Sequence, residues 1–128
     1  MRLLIDSHAL IWYVDQHRQL SSASHAAMSD PSNELLLSAG SIWEIAIKIG
    51  LGKLVLNQPY LAWMSQAFSE LDITVLPITV EYADAQASLP RHHTDPFDRL
   101  IVAQALVERV PIVSADASID AYGVTRLW

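Results

Sequence analysis

The chain has no cysteine, which removes disulfides, thiolate zinc sites and cysteine nucleophiles in one step. It is poor in basic residues. Eight Lys and Arg face fourteen Asp and Glu, a net charge of −6. That balance excludes nucleic-acid binding through bulk electrostatics, though not a site that meets nucleic acid through bound metal. A long hydrophobic run is also missing. The opening MRLLIDSHALIWYV is broken by Asp6 and His8, and the uncharged stretch from Leu54 to Ser69 holds Asn57, Gln58 and Pro59. No membrane span or export signal is expected, so a cytoplasmic home is. Repeats, low-complexity tracts and linker-like shifts in composition are absent too. What is present is an apolar fraction of 52% in 128 residues, enough for one packed domain over 1–128.

Short continuous apolar runs alternate with helical periodicities. Arg2 to Ile5, Glu34 to Ser38, Ile73 to Leu76 and Pro111 to Ser114 read as strands, with Val124 to Leu127 as a further one. Helices are expected from Ser7 (as cap) to Asp15, after Ser21 or Ser22, and from Ser41 to Gly50 and Gly52. Three more follow: one opened by Pro59 with Leu61, Met64, Phe68 and Leu71 on its stripe; Thr79 to Ser88 with Val80, Ala83 and Ala87 inward; and Asp95-Pro96 to Arg109 with Phe97, Leu100, Ile101 and Ala105 inward. Leu89 to Thr94 is a loop. Buried strands alternating with helices predict an α/β fold with a parallel sheet covered on both faces. Sites in such sheets form beyond the carboxyl ends of the strands, where strand order reverses.

Four acids fall where that rule points. Asp6 closes the first strand, and Asp116 follows the fourth by two residues. Glu44 and Asp98 lie near helix starts, where each has an ordinary local role: Ser41-Ile42-Trp43-Glu44 fits a capping box, and Asp98 suits the first helical turn. Together the four would repel one another in one cleft, and hard oxygen ligands recruit Mg²⁺ or Mn²⁺. Lys48, four residues beyond Glu44, reads either as an exposed ion pair or as a cation for phosphate. Arg99 reads as a phosphate or partner contact, or as a solvated side chain. His92 and His93 read as a solvated loop, and His8 as a cap or surface residue. Ser7, Ser41, Asp95 and Ser114 are the side chains placed to brace the carboxylates or cap beside them.

The blocks LLIDSHALIW, SAGSIWEIAIK, HHTDPFDRLIVAQA and IVSAD, in that order, resemble the PIN-domain family, and most of all its VapC-type toxins of toxin–antitoxin pairs. The resemblance implies a three-layer sandwich around a parallel sheet of four to five strands in order 3-2-1-4-5. It implies Mg²⁺- or Mn²⁺-dependent endoribonuclease activity with metal-activated water, and an antitoxin that occludes the acidic cleft. Its acidic set maps onto Asp6, Glu44, Asp98 and Asp116, as catalytic residues and metal ligands, with Asp98 taken over Asp95 because it stands directly before LIVAQA. Ser7 and Ser114 stand where threonine is common in the family. The apolar helices before residue 80 and four tryptophans fit a homodimer. A different class of function is an acidic cleft that receives a basic partner peptide without turnover. A phosphatase or receiver domain fits less well: His8 stands where the former needs a second acid, and no lysine follows Lys53.

Overall fold

The computed structural model describes residues 1–128. The strands are β1 (Arg2–Ile5), β2 (Glu34–Ser38), β3 (Ile73–Leu76), β4 (Ile112–Val113) and β5 (Arg126–Leu127). The helices are α1 (Ser7–Val14), α2 (Ser22–Ser29), α3 (Ala39–Gly50), α4 (Tyr60–Glu70), α5 (Val80–Ala87) and α6 (Pro96–Glu108). A 3-10 helix spans Ala117–Tyr122, between β4 and β5. All strand pairs are parallel, in order β3-β2-β1-β4-β5. The expected fold and strand order are both observed. No helix is long and apolar enough to cross a membrane.

The period-two alternation of β side chains divides the core. Leu3 and Ile5 of β1, with Leu35 and Leu37 of β2, point into a cluster completed by Leu10, Ile45 and Trp63. Leu4 and Leu36 point the other way, onto Ile101, Val102 and Ile112. The central strands are thus apolar on both faces, which is why they read as unbroken hydrophobic runs.

Three helix readings are corrected. In α4 the buried stripe is Trp63, Met64 and Ala67, while Leu61 is 78% exposed and Phe68 partly so. Trp63 has the largest apolar surface there, and its Nε1 finds an acceptor in Asp15 Oδ1 at 2.7 Å. In α5, Val80 is 88% exposed and Ala83 and Ala87 also face out; Tyr82 is buried instead, its hydroxyl donating to Glu108 of α6 at 3.0 Å. Finally, α3 begins at Ala39 and not at Ser41, because the Ser38 hydroxyl accepts from the Gly40 amide at 3.1 Å. Gly40 also lets α3 approach α6: a Cβ there would stand 2.6 Å from Leu100 Cδ2.

Candidate functional site

β1 pairs with β2 on one side and with β4 on the other, so the strand order reverses at β1. The ends of β1 and β4 lie side by side, with Ile5 opposite Val113 and the Asp6 amide donating to the Val113 carbonyl at 3.0 Å. Chain direction therefore delivers Asp6 and the Ser114–Asp116 turn to one edge. The starts of α3 and α6 open at the same edge. A cleft of about 350 Å³ there is lined by Asp6, Glu44, Lys48, Asp95, Asp98 and Asp116, with His8 and Trp12. Five acids drawn from positions 6 to 116 of the chain converge: Asp6, Glu44, Asp98 and Asp116, with Asp95 beside them.

Each acid is held differently. Asp6 occupies the cap position of α1, yet its side chain caps nothing; the Ser114 hydroxyl donates to its Oδ2 at 2.8 Å. Burial pushes the Asp6 carboxyl up from its ordinary range, against the Ser114 hydrogen bond, which pulls it down. Glu44 is buried with both oxygens satisfied, Oε1 by the Ser7 hydroxyl at 2.7 Å and Oε2 by Lys48 Nζ at 2.8 Å. The capping-box reading of Glu44 fails, since α3 starts two residues too early for it. Ser7 is likewise a Glu44 donor and not the α1 cap. Ser41 is buried but bonds to no acid; Ser7 and Ser114 have that role.

Asp95 caps α6, accepting from the Phe97 amide at 2.8 Å and the Asp98 amide at 3.3 Å. This frees the Asp98 carboxylate from capping duty. Asp98 is pushed up to about 7, first by burial and then by the charges of Asp95, Asp6, Glu44 and Asp116. Asp116 divides its oxygens. Oδ1 accepts from the amide and hydroxyl of Ser118 at the start of the 3-10 helix, while Oδ2 lies 4.0 Å from His93 Nε2. The Ser118 hydroxyl, above all, holds the Asp116 carboxyl below its usual range; burial opposes it, while the Ser118 amide, His93 and Arg126 reinforce it.

Lys48 lines the cleft while paired to Glu44, so its two sequence readings merge. Burial drags its ammonium down, but the Glu44 hydrogen bond and the charges of Glu44, Asp95 and Asp98 outweigh that and raise it.

Arg99 is corrected. It is 5% exposed, with its guanidinium donating at 2.9 Å to the Pro90 carbonyl and at 2.9 Å to the Gln86 carbonyl. It stitches the end of α5 to α6 and is not available to phosphate. Arg99→Ala is expected to cost about 2 kcal/mol by urea denaturation, because two carbonyls lose a charged donor.

The solvated-loop reading of His93 is corrected: the half-buried ring stands beside the cleft, next to Asp98 and Asp116. Its Nδ1 lies 3.0 Å from the Tyr122 hydroxyl and its Nε2 lies 2.8 Å from Ser118 Oγ. Donor atoms of His93, Asp98 and Asp116 all fall within 4.8 Å of one another. The missing signal was the 3-10 helix: its Ser118 and Tyr122 lie 25 and 29 residues from His93, beyond any local pattern.

Whether this donor set suits a divalent cation follows from its chemistry. A carboxylate raised to about 7 by burial and then by its acidic neighbours gains from a compact dication, and hard oxygens select Mg²⁺ or Mn²⁺. The residues fit such an ion.

The chain is a parallel α/β protein with an acid-lined cleft at the switch point of its sheet. The chain belongs to the PIN domain family, whose model matches residues 3–124. It is 29% identical over 121 residues to Ribonuclease VapC22 of Mycobacterium tuberculosis, covering 94% of this chain and 91% of that one. Among solved structures, VapBC2 of Rickettsia felis bound to a promoter DNA fragment superposes with a TM-score of 0.71 at 12% identity, covering 98% of this chain and 97% of that one. VapBC-1 of nontypeable Haemophilus influenzae gives a TM-score of 0.67 at 16% identity, covering 98% and 96%.

Proposed function

We propose that this chain is a metal-dependent endoribonuclease and the toxin of a toxin–antitoxin pair. The observation that carries the reading is the convergence of Asp6, Glu44, Asp98 and Asp116 on one cleft at the sheet's switch point. Family membership and the ribonuclease relative support RNA as the substrate class, and the VapBC neighbours support an antitoxin as partner.

Asp6, Asp98 and Asp116 present the carboxylate oxygens that would hold Mg²⁺ or Mn²⁺. Glu44 spends both oxygens on Ser7 and Lys48, and so adds negative field from one side while Lys48 supplies a cation within reach of phosphate. A bound dication would neutralise phosphoryl oxygens and activate water for hydrolysis. Ser7 and Ser114 lock Glu44 and Asp6 into fixed rotamers. Asp95 fixes the first turn of α6, and so the place of Asp98. Without the ion the acidic cleft repels RNA. The same charge attracts a basic segment of an antitoxin, which would fill the cleft through arginine–carboxylate pairing. Exposed Leu61, Ile78 and Val80 are among the apolar side chains available to a homodimer contact, with Trp43, Leu51 and Val55.

The test uses purified protein free of any partner, a panel of structured RNAs, and Mg²⁺ or Mn²⁺. Cleavage is expected with either ion and none in excess chelator. Intact RNA in every lane, together with tight binding of a basic peptide, would favour the acidic cleft as a binding module without turnover.

A further inference from the structure

We infer that His93 is a nitrogen ligand at the Asp98–Asp116 end of the cleft, which makes that end a mixed imidazole–carboxylate site for a first-row transition ion such as Mn²⁺. The inference rests on the metal-dependent reading above. It adds a residue outside the acidic set and a preference among ions.

The imidazole is fixed by its surroundings. It stacks on Tyr122 at 5.4 Å between ring centroids with 25° between the planes. The Tyr122 hydroxyl holds Nδ1 at 3.0 Å. Without an ion Nε2 meets Ser118 Oγ at 2.8 Å, whose own proton goes to Asp116 Oδ1; a bound cation would take Nε2 from that hydroxyl, with the ring proton moved to Nδ1 and given to Tyr122. A ligating histidine characteristically gives its other ring N–H to such a partner, which sets tautomer and orientation together.

The spacing is that of a shared ion. Nε2 is 4.0 Å from Asp116 Oδ2, and the three donors of His93, Asp98 and Asp116 lie within 4.8 Å of one another. Donors around one small dication stand roughly 3–4 Å apart when each is about 2.1 Å from it, so a small closure brings all three into place. The supports also differ between the two ends of the cleft. Asp6 takes the Ser114 hydroxyl and feels the charge of His8, whereas the donor oxygens of Asp98 and Asp116 converge with the His93 nitrogen.

Donor type then decides the ion. Carboxylate oxygens accept Mg²⁺ and Mn²⁺ alike, whereas an imidazole nitrogen adds affinity for a first-row transition ion and little for Mg²⁺. His93 therefore tilts the site toward Mn²⁺.

Pulsed EPR on the full chain loaded with one equivalent of Mn²⁺ reads the nitrogen directly. A ¹⁴N coupling is expected in the parent protein, lost in His93→Gln and retained in His8→Gln, since His8 is the imidazole that lines the cleft itself. By calorimetry, His93→Gln is expected to weaken Mn²⁺ binding by about tenfold or more and Mg²⁺ binding by less than about threefold. Mn²⁺ bound with no nitrogen coupling, a coupling that follows His8, or equal losses for both ions would overturn the assignment of His93 alone. No Mn²⁺ binding at all would overturn it together with the metal-dependent reading.

Discussion

Asp98→Asn is expected to cut RNA cleavage by about a thousandfold or more while leaving the protein folded and at least as heat-stable as the parent. Both halves follow from the environment of one carboxylate. Asp98 is the acid at the α6 start with no capping task, because Asp95 takes the Phe97 and Asp98 amides. Its charge is opposed by burial and by Asp95, Asp6, Glu44 and Asp116. Folding gains when that charge is removed, since the repulsion disappears. Function loses, since an amide neither balances a dication nor offers two anionic oxygens, and a metal's contribution to phosphoryl transfer amounts to several kcal/mol. A structural residue would show the reverse: activity falling only as far as stability does. Cleavage rates at saturating Mg²⁺ beside thermal melts of the same preparations separate the two. An active Asp98→Asn would remove Asp98 from the site.

The metal-free protein is expected to lose stability as pH rises from about 4 to about 7, opposite to the usual behaviour of a salt-bridged carboxylate. Asp98 moves from 3.8 to about 7 on folding. The native state thus holds its proton more tightly than the unfolded chain does. Below pH 4 both states are protonated and the group imposes no penalty. Between the two values the unfolded chain ionises freely while the native state resists, so stability drains away and levels off above about 7. Asp6 shifts the same way, and the lowered Asp116 pulls weakly against it. A rise of that size corresponds to about 4 kcal/mol undiscounted, and to about 2 kcal/mol after allowing for the solvent that reaches Asp98. For a chain of this length that is roughly 5–10 °C in melting temperature between pH 5 and pH 8. Millimolar Mg²⁺ is expected to reverse the trend at pH 8, because the ion replaces the proton as the neutralising partner. Chelator-treated melts across that range, with and without Mg²⁺, check the sign. Stability that climbs steadily from pH 4 to pH 8 without metal would contradict the crowding of charge.

The sheet was legible because its central strands are buried on both faces: RLLI and ELLLS have no polar alternation to confuse with a helix. Asp6 and Asp116 were legible for a topological reason, standing just past strands that must be neighbours where the order reverses. Glu44 and Asp98 came from the family resemblance, since each had a local capping role equally at hand. The structure dissolves one of those roles through Ser38 and gives the other to Asp95. Helix faces were read worst in α5, one of three eight-residue helices. Eight residues of α5 cover barely two turns, and small alanines carry little directional signal beside Tyr82. Arg99 and His93 failed alike, because partners 9 to 29 residues away decide what each side chain does.

The most direct measurement is the position of an anomalous Mn²⁺ peak in a crystal of this chain. The account predicts density in the cleft at about 2.2 Å from a carboxylate oxygen of Asp98 and of at least one of Asp6 and Asp116. A cleft without such density under millimolar Mn²⁺, or an ion bound only elsewhere on the surface, would contradict it.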